Sequence, residues 1–395
     1  MTGFIEPNAA TVYVDGDVLH GTPVNKIIAN SRAQLYRALS TWQVFNSCPG
    51  MEGTSTPRIP CDVLGTILQV AAGTSVDPSL FVLSKTTPSA PVDWKEVSTY
   101  SALANGQQLV IAPYAIDDLV MFSTVSSTDW WIGQDGGHTL SAHVLDGSAT
   151  FTAGGPILNI IDDDDRVRSI VPGKTGTDYA SVGVVGAGGS ATCTLHNDAG
   201  STMFVRRLAS DGAGTIVGVG GTSTARLYVI SDDYGDTWTF GAYPTLTGSL
   251  TTSEPSIAWD EDRSVFVTTL LLTNGQACYC SSPDGISWGD WHVIPAGEWA
   301  TAGVITKTAD IVITGGIWII ARPVANGIYA TTFIQVMASH DGGASWYDIS
   351  PSQSVDCNDG YWMVLLGNRV GISTNSWLAI SEPIDMGTAL ASEVV

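Results

Sequence analysis

The densest run of possible metal ligands in the chain is Asp162-Asp163-Asp164-Asp165, followed by Arg166 and Arg168. Clustered carboxylate oxygens suit Ca²⁺, but a dedicated calcium loop alternates its acids as D-x-D-x-D-G. Four acids in a row beside two arginines read instead as a solvated, partly neutralised turn. His20, His138, His143, His196, His292 and His340 show neither H-x-x-x-H nor H-E-x-x-H spacing, so no zinc site or hydrolytic triad is expected. Cys48, Cys61, Cys193, Cys278, Cys280 and Cys357 include no C-x-x-C pair and are expected to be packed, reduced thiols. Cys278 and Cys280 flank Tyr279, which places them on one face of a strand but too far apart for an easy bond. Trp130, Trp131, Trp288, Trp291, Trp299 and Trp362 can stack on sugar rings, although tryptophan serves strand packing just as readily. No cofactor is expected.

The elements that must carry these groups are short strands. Charged residues make up only 14% of the chain, while the 43 glycines and 13 tryptophans favour strands joined by small-residue turns over long helices. Sixteen Lys plus Arg against 38 Asp plus Glu give a formal charge of −22, which repels nucleic acid and anionic membrane surfaces. No apolar run is long enough to cross a membrane as a helix, and the opening MTGFIEPNAATVYVDGDVLHG lacks the basic start and apolar core of a secretory signal.

An internal repeat sets the fold. Ser231-Asp232-Asp233-Tyr234-Gly235-Asp236-Thr237-Trp238 and Ser339-His340-Asp341-Gly342-Gly343-Ala344-Ser345-Trp346 both fit S-x-D-x-G-x-[TS]-W. Ser282-Pro283-Asp284-Gly285-Ile286-Ser287-Trp288 is the same pattern one residue shorter, and its tryptophan lies 50 residues after Trp238 and 58 before Trp346. A worn fourth copy, from His196 to Met203, keeps Asp198, Gly200 and Thr202. Each strong copy follows an alternating strand such as Arg226-Leu227-Tyr228-Val229-Ile230, so the box is expected to be a hairpin turn. Its Asp accepts turn N–H groups, its Gly takes positive φ, and its Trp lies beneath the turn.

The pattern resembles the Asp-box (BNR) propellers, a group that includes the sialidases. The resemblance implies an all-β fold of four-stranded antiparallel blades over residues 55–395, with six or seven blades at 40–50 residues each. Ahead of it, residues 1–54 are expected to form an extension. Thr22-Pro23 provides a helix start, and Ile28, Leu35, Leu39 and Trp42 share one helical face, so one helix is expected over residues 23–42. It would cap the propeller or dock it into an assembly.

By the same resemblance, Pro57-Arg58-Ile59-Pro60 is similar to the sialidase Arg-Ile-Pro motif, whose arginine helps to hold a substrate carboxylate in bidentate fashion. Ser253-Glu254-Pro255-Ser256-Ile257 is similar to the segment whose glutamate pairs with a nucleophilic tyrosine, and Asp77 is the carboxylate nearest the place of the acid/base aspartate. The pattern then departs. Val267-Thr268-Thr269-Leu270-Leu271 stands where a second arginine is expected, Ala330-Thr331-Thr332-Phe333 where a third is expected, and Ser354-Val355-Asp356-Cys357 has no tyrosine, Tyr361 being displaced. Arg322 and Arg369 remain as arginines that could reach a pocket by another path. Without nucleophile and clamp the sialidase route fails. The expected function is therefore a non-catalytic structural or adhesion component of a virus particle, a bacteriophage tail or head fibre. It would contact other virion proteins or itself through residues 1–50 and possess a site for host-surface carbohydrate. The alternatives are a sialidase-type hydrolase and a cellular, cytoplasmic carbohydrate- or protein-binding propeller.

Overall fold

The computed structural model describes residues 42–382 apart from 47–58, 64–65, 72–76, 84–93, 102, 104–108, 115–117, 136, 146–149, 176–178, 186–192, 199–203, 222–225, 243–254, 273–275, 295–308, 326–331, 352–360 and 375. The described strands form seven antiparallel sheets, each a blade whose chain runs from the propeller axis outward. The innermost strands of blades 1, 2, 4, 5, 6 and 7 are Cys61–Val63, Leu109–Pro113, Val205–Ser210, Ser256–Asp260, Asp310–Thr314 and Trp362–Leu366. In blade 3 the inner edge is split into Phe151–Ala153 and Leu158–Ile161, both paired with Val167–Thr175. Neighbouring inner strands touch all the way round, so the ring is closed.

Burial follows position in the blade. Second strands are covered by neighbouring blades on both faces, and they read as unbroken apolar or small runs, as in Leu119–Ser123 and Ile216–Gly221, where every residue is buried. The outermost strand of blade 2, Thr139–Val144, has no fully buried residue. The apolar clusters lie between blades rather than within them: Ile170, Val182 and Val184 of blade 3, for example, pack on Val205, Ile216 and Val229 of blade 4.

Blade 7 is completed from the other end of the chain. Trp42–Asn46 pairs antiparallel with Trp377–Ser381, from Trp42 opposite Ser381 to Asn46 opposite Trp377. This corrects the expected boundary at residue 55, because Trp42 opens a strand of the propeller instead of ending a helix. The apolar spacing that includes Trp42 satisfies a helix, but the aromatic and β-branched residues of Trp42-Gln43-Val44-Phe45 suit a strand as well, and pairing with the last blade decides between them. The remainder of the expected helix, residues 23–41, lies outside the described residues.

All three strong boxes occupy the turn between the third and outermost strands of successive blades, 4, 5 and 6. In blade 4 the Ser231 hydroxyl donates to Asp233 Oδ1 at 2.8 Å, and Asp233 also accepts from the Thr237 amide at 2.8 Å and hydroxyl at 2.6 Å. The Trp238 ring N–H donates to the Gly235 carbonyl at 2.9 Å, and Trp346 does the same to Gly343 at 3.0 Å. In the shortened box, Asp284 accepts from Ser282, from the amides of Ile286 and Ser287, and from the Ser287 hydroxyl. The three tryptophans are half-buried, and each is packed toward the preceding blade. Gly343 has φ of 90°, and a Cβ there would run into the Tyr279 ring of blade 5, so both the turn and the contact between blades require glycine.

The worn copy is not a fourth box. Cys193–Asp198 is the outermost strand of blade 3, with Asp198 opposite Ala180, so this segment leads out of the blade rather than across its last hairpin. Asp198 matches in spacing but not in place, and Gly200 and Thr202 lie outside the described residues.

The boxes carry an acid dependence. Burial pulls Asp341 upward, but bonds from Ser345 and Ser339 prevail and hold it down at about 2. The Ser287 and Ile286 amides hold Asp284 well below the ordinary carboxylate range, and Thr237 holds Asp233 down against burial. Folded values below the unfolded ~3.9 mean that this stabilisation is present above pH ~4 and is lost as pH falls through the folded values. Scanning calorimetry should therefore show a melting temperature that is level from pH 7 to about 5 and falls below about 4. Asp341→Asn should shrink that fall and cost about 1–2 kcal/mol at pH 7 through its weakened bonds.

Candidate functional site

The Asp boxes and the turns joining first to second strands share one face of the propeller; the starts of the inner strands point to the other. At that second end Val205–Ser210 begins with a β-bulge, since Val205 pairs with Gly220 but Arg207 with Val219, leaving Arg206 as the extra residue. A bulge re-aims side chains and breaks alternation, so two consecutive residues can serve one site. Here the Arg206 guanidinium lies 4.0 Å from the centre of the Trp362 ring and that of Arg207 5.1 Å from it. Trp362 belongs to blade 7, so these arginines reach across the axis, and its ring also approaches Gly155 of blade 3.

Arg207 is buried. Its Nη2 donates to Asp310 Oδ2 at 2.8 Å and to the Met363 carbonyl at 2.6 Å, and Asp310 Oδ2 also accepts from the Met363 amide at 3.0 Å. Asp310 is 0% exposed. Burial pushes the Arg207 guanidinium down, and the Asp310 carboxylate opposes it. Arg207 Nε and Asp310 Oδ1 are buried with no hydrogen-bond partner. Beside them the Tyr361 hydroxyl donates to the Ala321 carbonyl at 2.7 Å and accepts from the Asp310 amide at 3.2 Å. Arg322, in the second strand of blade 6, is pushed down to about 9 by burial, with Asp348 opposing, and it donates to Gln335 at 3.1 Å.

The expected catalytic residues are distributed unevenly. Arg58 and Glu254 lie outside the described residues. Their neighbours Ile59 and Pro255 lead into the inner strands of blades 1 and 5 at the Trp362 end. Asp77, half-buried, precedes the third strand of blade 1, Ser79–Leu83, at the same end. Val265–Leu271 is the second strand of blade 5, and there Thr268 and Thr269 donate to the carbonyls of Ser256 and Ala309. Arg369 starts the second strand of blade 7, paired with Leu366 across the turn at the Asp-box end, and so is remote from Tyr361. Ser354–Cys357 lies outside the described residues. Asp162 is occupied by its own turn, accepting from the amides of Asp164 and Arg166 and from Arg168 Nε at 2.9 Å, while Arg168 reaches Asp236 of blade 4 at 2.5 Å. Asp163, Asp164 and Asp165 are exposed, and no group of three or more possible metal ligands converges among the described residues. Cys61, Cys193, Cys278 and Cys280 are free thiols, the first half-buried and the others buried.

Sequence reasoning missed Arg206, Arg207 and Asp310. One signal was available: two adjacent arginines within an otherwise apolar strand, in a chain with only 16 basic residues.

Below this cluster the axis holds a cavity of about 580 Å³, to which all seven blades contribute. Its wall is mainly apolar, with Ile111, Ile157, Ile257 and Ile311 among its residues, and it runs from Arg207 toward the Asp-box face at Ser210 and Gly367.

No protein-family model and no curated protein matches the chain. Solved structures do. YCF48 from Cyanidioschyzon merolae is similar at 13% identity and TM-score 0.52 over 87% of this chain and 99% of that one. A polysaccharide lyase of family PL25, an ulvan lyase, is similar at 9% identity and TM-score 0.53 over 87% of this chain and 94% of that one. The NanB sialidase from Streptococcus pneumoniae aligns at 12% identity and TM-score 0.42 over 86% of this chain and 70% of that one. At these identities the first two matches show the fold: an all-β, seven-bladed propeller.

Proposed function

We propose that the chain is a carbohydrate-binding propeller that does not cleave its ligand, and that it serves as an adhesion component of a virus particle. The observation that carries the first part is the Tyr361 hydroxyl, held between the Ala321 carbonyl and the Asp310 amide in the propeller wall. A tyrosine so placed is a strut: attack on a sugar would require it to leave both bonds and its buried position. Arg207 is likewise engaged by Asp310, and Arg369 stands at the opposite end. The Trp362 end supports recognition through Arg206, which is half-buried, held 4.0 Å from the centre of the buried Trp362 ring, and carries N–H groups that can donate to sugar hydroxyls. The virus setting extends the reading of the sequence, with residues 1–41 as the segment offered to other virion proteins or to a second copy.

The test runs a fluorogenic sialoside assay beside a glycan array at one salt concentration. The expected result is saturable glycan binding without turnover, with binding weakened at least fivefold in Arg206→Ala. Turnover abolished by Glu254→Gln would replace this reading with that of a sialidase-type hydrolase. Mass spectrometry of purified phage particles should find the chain in stoichiometric amount, and its absence there would place the propeller in a cell.

A further inference from the structure

We infer that the Asp-box end of the propeller axis is a docking site for residues 23–41 of the same chain, an apolar and basic segment that lies outside the described residues. Leu365 and Ile161 belong to the innermost strands of blades 7 and 3, yet they are 41% and 62% exposed. Both stand toward the Asp-box end of their strands, and Leu365 lines the axial cavity there together with half-buried Trp259 and Ile313. Exposed aliphatic side chains ringed by polar residues mark an interaction surface. Here the ring is acidic. The turns joining first to second strands lie nearest the axis on this face, and in blades 2 to 5 they carry Asp118, Asp163, Asp211, Glu261 and Asp262. The matching turns of blades 6 and 7, Gly315-Gly316 and Gly367-Asn368, carry no acid.

Charge and position select the occupant. A collar of carboxylates attracts a basic segment. Residues 23–41 contain Lys26, Arg32 and Arg37 and no acid, interleaved with apolar Ile27, Ile28, Leu35 and Leu39. Residues 1–22 and 383–395, by contrast, contain acids and neither lysine nor arginine. Trp42 stands opposite Ser381, where the third strand of blade 7 ends at the Asp-box face, so residues 23–41 join the propeller at that face. They join it over blade 7, on the side of the collar without acids. From the outermost to the innermost strand of a blade is about 14 Å, three spacings of ~4.8 Å. Residues 23–41 reach about 28 Å even as a helix at ~1.5 Å per residue, enough to cross the axis to the acidic turns. Tethering gives the segment an effective concentration on the order of mM, so a modest contact suffices to hold it.

The test treats an equal mixture of unlabelled and ¹⁵N-labelled full chain with a carbodiimide, which joins a lysine to a carboxylate in contact with it, and maps the joined peptides by mass spectrometry. The expected result is Lys26 joined to carboxylates of the first-to-second turns of blades 2 to 5, in peptides of a single isotope. Mixed-isotope peptides would give the face to the segment of a second copy, and Lys26 joined to none of these turns would place the segment elsewhere; either overturns the inference. A second measurement follows trypsin cleavage after Arg32 and Arg37 in the full chain. Leu365→Asp, which puts a charge in the apolar centre, and Glu261→Lys, which reverses a charge in the collar, should each speed that cleavage at least fivefold. Both residues are exposed, so both variants should keep the parent melting temperature within a few degrees. Cleavage at the parent rate in both variants would also overturn the inference. Neither measurement involves carbohydrate, so failure here leaves glycan recognition at Arg206 untouched.

Discussion

Arg207→Met should destabilise the chain by about 3–5 kcal/mol, because it leaves Asp310 charged and alone in the propeller interior. Asp310 is fully buried, and its remaining donor would be the Met363 amide at 3.0 Å, which cannot balance a charge. The reverse variant, Asp310→Leu, strands the Arg207 guanidinium and the Met363 amide together and should cost at least as much. The pair itself is a different matter, since a buried ion pair gives back in attraction roughly what it loses in hydration. Arg207→Met combined with Asp310→Asn keeps an acceptor for the Met363 amide and removes both charges, so it should recover most of the loss. Urea unfolding of the four proteins at constant slope checks this. A single-variant loss below 1 kcal/mol would mean that water reaches the pair and that blades 4, 6 and 7 are not locked across the axis.

That lock also shows what the sequence can and cannot reveal. The boxes are legible because each is local: Ser, Asp, Gly, Thr and Trp bond within a few residues of one another, so their spacing is the structure. Blade architecture follows from them, and so does the seven-fold ring within the expected six or seven. The worn copy at Asp198 shows the limit, for matching spacing does not say which hairpin of a blade a segment occupies. The Arg207–Asp310–Tyr361 cluster is less legible because its members come from blades 4, 6 and 7 and meet only once the ring has closed. Nothing local to Asp310 distinguishes it from an edge carboxylate, whereas Arg206-Arg207 leaves a trace because a bulge must break the alternation. Tyr361 was visible as a misplaced tyrosine, and its use as a strut depends on a carbonyl of blade 6.

Phe45→Ala should cost about 3–5 kcal/mol and loosen the ring at one seam. Phe45 is 1% exposed, and it lies in the strand that completes blade 7, opposite Leu378. Trp42 in the same strand ties blade 7 to blade 6 by donating to the Ile349 carbonyl at 2.7 Å. In a closed ring each blade covers both neighbours, so an open seam exposes the faces of blades 7 and 1 together. Closure joins residues from opposite ends of the described chain, and the entropy of bringing them together rises only slowly with the length between them. The burial of Phe45 and the strand hydrogen bonds can therefore hold it. The damage should be uneven. Hydrogen exchange at Trp377–Ser381 should accelerate by tenfold or more in Phe45→Ala, while the amides of Ile216–Gly221 in blade 4 keep their protection. Uniform acceleration would mean that the seven blades unfold as one unit with no weaker seam. Unchanged exchange at Trp377–Ser381 would remove Trp42–Asn46 from its role as the closing strand, and with it the reason for placing the start of the propeller before residue 55.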